Sequence, residues 1–135
     1  MRAIGMLFIR TLLGIIFLMQ GFGKVFTWGV PKVYDMFFKP FDQTFLPHWV
    51  VELAAYYTSY IELTGGLLLI LGLFRRTILI GLALDLLIVS FGHGMMEPIW
   101  DLSHVLPRTI LLAALFFLPQ EWDRWNVDRL MKRKI

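Results

Sequence analysis

Long apolar stretches separated by short polar or basic turns dominate the chain. They predict helices at about Ile4 to Phe26, Trp49 to Phe74, Thr77 to Met96 and Leu102 to Leu118, each near the ~20 residues that cross a bilayer. The last is the shortest. Between the first two helices, residues 27–48 carry prolines at 31, 40 and 47 and the aromatics Trp28, Tyr34, Phe37, Phe38, Phe41 and Phe45. Prolines break a continuous helix and aromatic rings suit the interfacial layer, so this stretch reads as an aromatic loop lying on the outer face. A ligand gate is its sharper reading. Beyond Pro119, the tail 120–135 sets Trp122, Trp125, Leu130 and Met131 among Lys and Arg, the pattern of an amphipathic anchor drawn to anionic lipid. No internal repeat or soluble-domain linker interrupts this plan.

Composition agrees with the pattern. With 58% hydrophobic and 17% charged residues in 135 and a mean hydropathy of +0.68, the chain is too apolar for a soluble domain. The expected fold is all-α: an integral membrane four-helix bundle over residues 1–119, followed by the basic cytoplasmic tail 120–135. Four spans would use about 80 residues, leaving little for a separate catalytic domain, so any chemistry must sit in or against the bundle. The absence of cysteine excludes disulfides, thiolate nucleophiles and dithiol relays within this chain.

Charge placement gives an orientation. Of 13 Lys and Arg, eight (Arg2, Arg75, Arg76, Arg124, Arg129, Lys132, Arg133 and Lys134) fall at the start, in the second connection or in the tail. Lys32 and Lys39 lie in the first connection, and Arg10, Lys24 and Arg108 inside spans. The positive-inside rule then puts both termini in the cytoplasm, which requires an even number of spans. A multi-pass protein of the cytoplasmic (inner) membrane is expected. The first helix is too long for a signal-peptide core, and Gln20-Gly21-Phe22-Gly23-Lys24 offers no small-residue cleavage site, so it is expected to be retained. The net charge of +3 is explained by topology without nucleic acid.

Ionisable side chains in hydrocarbon cost on the order of 3 kcal/mol each, so those that persist face the bundle interior and pair. Arg10, Gly14, Gly21 and Lys24 share one face of the first helix, and Glu62, Gly65 or Gly66, Leu69 and Gly72 form a similar stripe on the second. The two read as glycine seams that pack together. At ~1.5 Å per residue, Arg10, Glu62 and Asp85 stand roughly 10 to 18 Å above the cytoplasmic ends of their helices and would form one intramembrane cluster, with Arg10 neutralised by Asp85 or Glu62. Lys24, Glu52, His93, Glu97, His104 and Arg108 fall within about 10 Å of the outer ends, where Lys24 with Glu52 and Arg108 with Glu97 are the candidate pairs. For both sets, charges that merely fix helix register compete with a functional site.

The outer set has chemistry of its own. His93, between Gly92 and Gly94, is open to close approach and suited to donate to a carbonyl or pass a proton. His104 and Arg108 are four apart on one helix face, with Pro107 tolerated in the first turn after Ser103 or Asp101 as cap, and together resemble a carbonyl or anion clamp. Candidate binding residues are therefore His93, Arg108, Lys24, His104 and Gln20; which of them would be catalytic is left open. Glu97, His93 and His104 offer metal-ligand types, but no HxxxH or HExxH spacing accompanies them and no metal is expected. Phosphate loops, nucleophile elbows and dinucleotide fingerprints are absent.

Ile9-Arg10-Thr11-Leu12-Leu13-Gly14 leading to Gln20-Gly21-Phe22-Gly23-Lys24-Val25-Phe26 resembles the first-helix signature of the DoxX-like family. Ile61-Glu62-Leu63-Thr64-Gly65-Gly66, the following apolar run, Gly72 and Arg75-Arg76 are similar to its second-helix pattern, and His93 fits a histidine late in the third. The resemblance covers most of residues 7–95 and marks Arg10, Lys24, Glu62 and His93. It implies a four-helix membrane protein associated with quinone-linked redox, such as a thiosulfate:quinone oxidoreductase subunit or a membrane partner of oxidative-stress enzymes. The thiol relay of related small membrane proteins does not carry over to a chain without cysteine.

The resulting expectation is a subunit of a quinone-linked respiratory or sulfur-oxidising assembly, with no covalently bound cofactor, a quinone as possible substrate, and other membrane subunits or further copies of itself as partners. The alternatives are a non-enzymatic scaffold subunit, whose charges would be structural, and an oligomeric small-molecule or proton transporter using Asp85, Glu62 and His93 as a relay.

Overall fold

The computed structural model describes residues 1–97, 99 and 101–132; Arg133 and Lys134, counted above among the basic residues, lie outside the described residues. Helix α1 (Arg2–Phe22) continues through a wider π-type turn, Gly23–Trp28, and stops at Gly29, whose φ of 83° leaves the helical region. Each proline of the following stretch starts a new helical segment. Pro31 lies in the first turn of α2 (Val30–Val33), which runs on as a π-type turn over Tyr34–Phe38; Pro40 lies in the first turn of a 3-10 segment, Lys39–Gln43, and Pro47 caps α3. Residues 27–48 are thus a path of short helical turns, because proline is excluded from helix interiors yet fits a first turn.

Helix α3 (His48–Leu71) ends at Gly72, at φ 71°, where Leu73 N–H donates to Leu68 O at 2.9 Å. This six-to-one bond closes the helix end and needs a residue that tolerates the left-handed region, which glycine does. Helix α4 (Arg75–Met96) follows, entered through Phe74 at φ 49°. Asp101 caps a 3-10 turn, Leu102–His104, by accepting from Ser103 N at 2.8 Å, and α5 (Leu106–Phe117) carries Pro107 in its first turn. A 3-10 turn, Gln120–Trp122, and α6 (Val127–Lys132) complete the tail.

Helix α1 packs chiefly on α3; α3 also packs on α4, and α5 lies against α1 and α4. The two glycine stripes meet as the seam expected from their spacing. A β-carbon on Gly21 would overlap the backbone of Leu63, and one on Gly66 the backbone of Leu18, so the two helices approach as closely as only glycine permits. These contacts set an antiparallel register: Gly21 stands beside Leu63, Gly14 beside Ile70, and Arg10 beside Gly72 at the end of α3.

The distribution of polarity is inverted relative to a soluble protein. Arg10, Thr58, Ser59, Glu62 and Asp85 are fully buried, while Ile4, Phe8, Met19, Ile80, Leu87, Phe91, Ile110 and Phe117 stand exposed on the helix surfaces. Water disfavours such an exterior and hydrocarbon favours it. Helix α1 with its extension (Arg2–Trp28) and α4 (Arg75–Met96) are long and apolar enough to cross a membrane, whereas the shorter apolar segment Leu102–Phe117 is not as long. Helix α3 has the length, 24 residues, but carries more polar side chains. Among the described residues there is no strand.

Candidate functional site

Two buried charge clusters occupy the bundle, at different heights. The first centres on Glu62 of α3. Lys24, one turn beyond the Gly21 crossing on the extension of α1, brings its Nζ to 2.6 Å from Glu62 Oε2, and Arg108 Nη1 on α5 lies 3.4 Å from Glu62 Oε1. Arg108 Nη1 also donates to Gln20 Oε1 at 2.8 Å, while its Nε donates to the backbone oxygen of His104 at 2.5 Å. The guanidinium stands over the Phe17 ring, 5.6 Å from its centroid, a favourable arrangement for a desolvated cation. Asp85 of α4 completes the set: it is fully buried, lies where the charges of Glu62, Lys24 and Arg108 act on it, and receives no hydrogen bond from the described residues at either carboxylate oxygen. The cluster is not sealed, since Gln20 is exposed and the Lys24 side chain is 24% exposed. Chemically it offers ammonium, guanidinium and amide donors beside two carboxyl groups.

The second cluster ties the tail beneath the bundle. Arg10 Nε is 3.4 Å from Asp123 Oδ2, Nη1 donates to the backbone oxygens of Leu69 and Ile70 at 2.7 and 2.8 Å, and Nη2 donates to Trp125 O at 2.7 Å. Arg10 thus caps the carboxyl end of α3, where a cation meets unpaired carbonyls and the negative end of the helix dipole. Asn126 donates through its amide to Asp123 O, Asp128 Oδ2 accepts from Phe74 N at 2.9 Å, and Arg75 Nη2 donates to Leu115 O at 2.5 Å.

A third group lies on the segment that joins α1 to α3. Tyr34 Oη donates to Asp42 Oδ2 at 2.6 Å, and His48 Nδ1 is 3.0 Å from both Asp42 Oδ1 and Tyr34 Oη. His48 Nε2 is 4.0 Å from Glu52. The hydrogen bond to Asp42, and then its charge, raise the His48 pKa. The bond from Tyr34, followed by that from His48, lowers Asp42. Desolvation and the Asp42 bond push the Tyr34 hydroxyl up to about 12, so it remains a donor. Phe41, one residue before Asp42, lays its ring against Gly92 of α4, beside His93.

The structure brings Lys24, Arg108 and Gln20 together with Glu62 and Asp85. It places Arg10 elsewhere, with Asp123 rather than with Asp85 or Glu62. The side chains of His93 and His104 are exposed, and His104 meets the cluster through its backbone oxygen. Glu52 and Glu97 are exposed too, and the acid that serves both Lys24 and Arg108 is Glu62. The helix ends are not level: Arg10 stands beside Gly72 at the very end of α3, so α1 reaches well below it and Arg10 lies a different distance into the bundle from Glu62. Asp123, Asn126 and the Tyr34–Asp42–His48 group carry no signal in the sequence, since their partners lie in other segments or other turns. Among the described residues, no three or more His, Asp or Glu side chains are arranged to hold a metal ion.

The family model described as DoxX matches residues 5–94, which contain Arg10, Gln20, Lys24, Glu62, Asp85 and His93 but not Arg108 or the tail. No curated protein and no solved structure matches the chain.

Proposed function

From the premise that the chain belongs to the DoxX family and is a membrane protein, we propose that it is a multi-pass inner-membrane protein of four spans. Both termini would be cytoplasmic, and it would serve as the membrane subunit of a quinone-linked redox assembly. Helix α3 supplies a third span by length. Helix α5 with its preceding turn supplies a fourth, shorter one, which bilayer thinning or tilt of its neighbours accommodates. The orientation rests on the basic residues Arg2, Arg75, Arg76, Arg124 and Arg129 at one end of the bundle.

The observation that carries the redox reading is the Lys24–Glu62–Arg108–Gln20 constellation, buried among apolar helices yet reached from the surface at Gln20 and Lys24. A quinone headgroup presents two carbonyl acceptors, and a site for it needs donors at the edge of an apolar slot. Reduction of the quinone to the hydroquinone consumes two electrons and two protons. The electrons come from a partner subunit with its own redox group, and the carboxyl groups of Glu62 and Asp85 lie where protons must be handed on.

Photolabelling of the purified protein with an azido-quinone tests this reading. Label is expected on peptides spanning Gln20–Lys24 and the start of α5, with yield reduced about tenfold in Arg108→Gln and Gln20→Leu; a tenfold change corresponds to ~1.4 kcal/mol, within reach of one charged hydrogen bond. Label scattered over the apolar exterior, or unchanged in both variants while they remain folded, would overturn the redox reading.

A further inference from the structure

The tail does not hang free below the bundle. The buried Arg10–Asp123 pair, the bond from Arg10 to Trp125 O and the Asp128 bond to Phe74 N hold it against α1 and the turn between α3 and α4. This docking builds two grooves that share one residue, Arg124. The first, of about 550 Å³, is lined by Arg2 and Ala3 of α1 together with Glu121, Trp122 and Arg124. In it the Arg2 guanidinium lies over the Trp122 ring, 5.0 Å from the centroid. The second, of about 480 Å³, is lined by Arg124, Trp125, Arg129 and Leu130. Each groove therefore sets two arginines beside a tryptophan, with Glu121 the sole acid among the described residues lining either.

We propose that these grooves are a receptor for the phosphate groups of anionic phospholipids, with Arg124 as the central ligand. Charge complementarity selects an anion, and the planar guanidinium fork favours a phosphodiester. Location selects a lipid: the grooves open at the membrane-water boundary, where tryptophan is at home. Beside them the exposed apolar side chains of Leu130, Met131 and Trp125 give acyl chains a surface to lie on. A soluble phosphate would leave that surface in water. The inference is independent of the quinone reading, because it uses the opposite end of the molecule and needs no turnover. It also gives the docked tail a purpose, since the grooves exist only while Asp123 and Asn126 hold Trp122, Arg124 and Trp125 against the bundle.

The full chain in neutral detergent is titrated with phosphatidylglycerol, phosphatidylcholine and inorganic phosphate, reading lipid retained by native mass spectrometry and the midpoint of thermal unfolding. Phosphatidylglycerol is expected to stay bound as one or two copies and to raise the midpoint, whereas phosphatidylcholine and inorganic phosphate leave both unchanged. Arg124→Gln and Arg2→Gln are expected to weaken retention about fivefold, the size of one basic residue's attraction to an anionic surface. Arg76→Gln, which removes an exposed charge of the same sign from the start of α4, is expected to change it less than about twofold. Equal effects of Arg124→Gln and Arg76→Gln would reduce the site to a diffuse field and overturn the proposal. So would stabilisation by inorganic phosphate equal to that by phosphatidylglycerol, or loss of all bound lipid.

Discussion

The ammonium of Lys24 meets the carboxylate of Glu62 at 2.6 Å across the α1–α3 seam, and Arg108 of α5 reaches the other oxygen of the same carboxylate. One acid from α3 therefore joins three segments of the bundle. Removing it takes the paired carboxylate from two cations, which Asp85 faces without bonding, so Glu62→Ala is expected to destabilise by roughly 3 to 5 kcal/mol. Lys24→Met should cost only about 1 to 2 kcal/mol, because Arg108 still serves Glu62. Unfolding followed by circular dichroism in detergent checks the order; equal losses would show that Glu62 is not the hub.

The glycine seam makes a second, steric prediction. Gly21→Ala drives a methyl group into the backbone of Leu63 and should cost about 1 to 3 kcal/mol by overpacking. Gly5 lies on the same helix with open space around it, and Gly5→Ala should be neutral or stabilising by up to about 1 kcal/mol. Thermal midpoints of the two variants, compared side by side, decide the matter.

Tail docking depends on Asp123. With Asp123→Ala, Arg10 keeps its bonds to Leu69, Ile70 and Trp125 but loses its carboxylate partner among the described residues. A loss of roughly 1 to 3 kcal/mol translates into at least about tenfold more frequent opening near the middle of that range. Tryptic cleavage after Arg124 and Arg129 should accelerate accordingly, while cleavage elsewhere should not.

The segment that joins α1 to α3 is expected to respond to pH. The folded pKa of His48 is raised by Asp42, so its contribution is complete below the unfolded value near 6.5 and is lost as pH rises through the raised value. Asp42 is lowered, so its contribution is complete above about 3.9 and is lost as pH falls through the lowered value. The Tyr34–Asp42–His48 group should therefore hold best at mildly acidic pH. Lys39, Asp35 and Glu52 also act on its members. Because the chain has no cysteine, single cysteines at Gln43 and Phe91 can carry spin labels, whose separation should widen as pH rises from 6 to 9. His48→Gln should remove that response.

Helix positions, the glycine seam and the inversion of polarity were legible because each depends on periodicity within one segment. The pairing of charges was not, because it depends on register between segments. Glu62 and Arg10 have similar distances from the ends of their own helices, yet the Gly21–Leu63 crossing puts Glu62 near Lys24 and leaves Arg10 at the foot of α3. Asp123 follows Arg10 by more than a hundred positions, a partner no local pattern reveals. Tyr34, Asp42 and His48 each read as ordinary loop residues, and only the successive helical turns begun by Pro31 and Pro40 draw them together.

Arg10 and Lys24 lie fourteen positions apart on α1 and its extension, about 21 Å along the axis at ~1.5 Å per residue. Each is fastened to α3, one at its terminal carbonyls and the other at Glu62. The pair behaves as a strut bolted at both ends. A piston stroke of one helical turn, ~5.4 Å, would shear both fastenings together, so α1 and α3 travel as one rigid body. Helix α4 is joined to this unit by a lighter fastening, the Tyr57 hydroxyl donating to Gly81 O at 2.8 Å, while its buried Asp85 receives no hydrogen bond from the described residues.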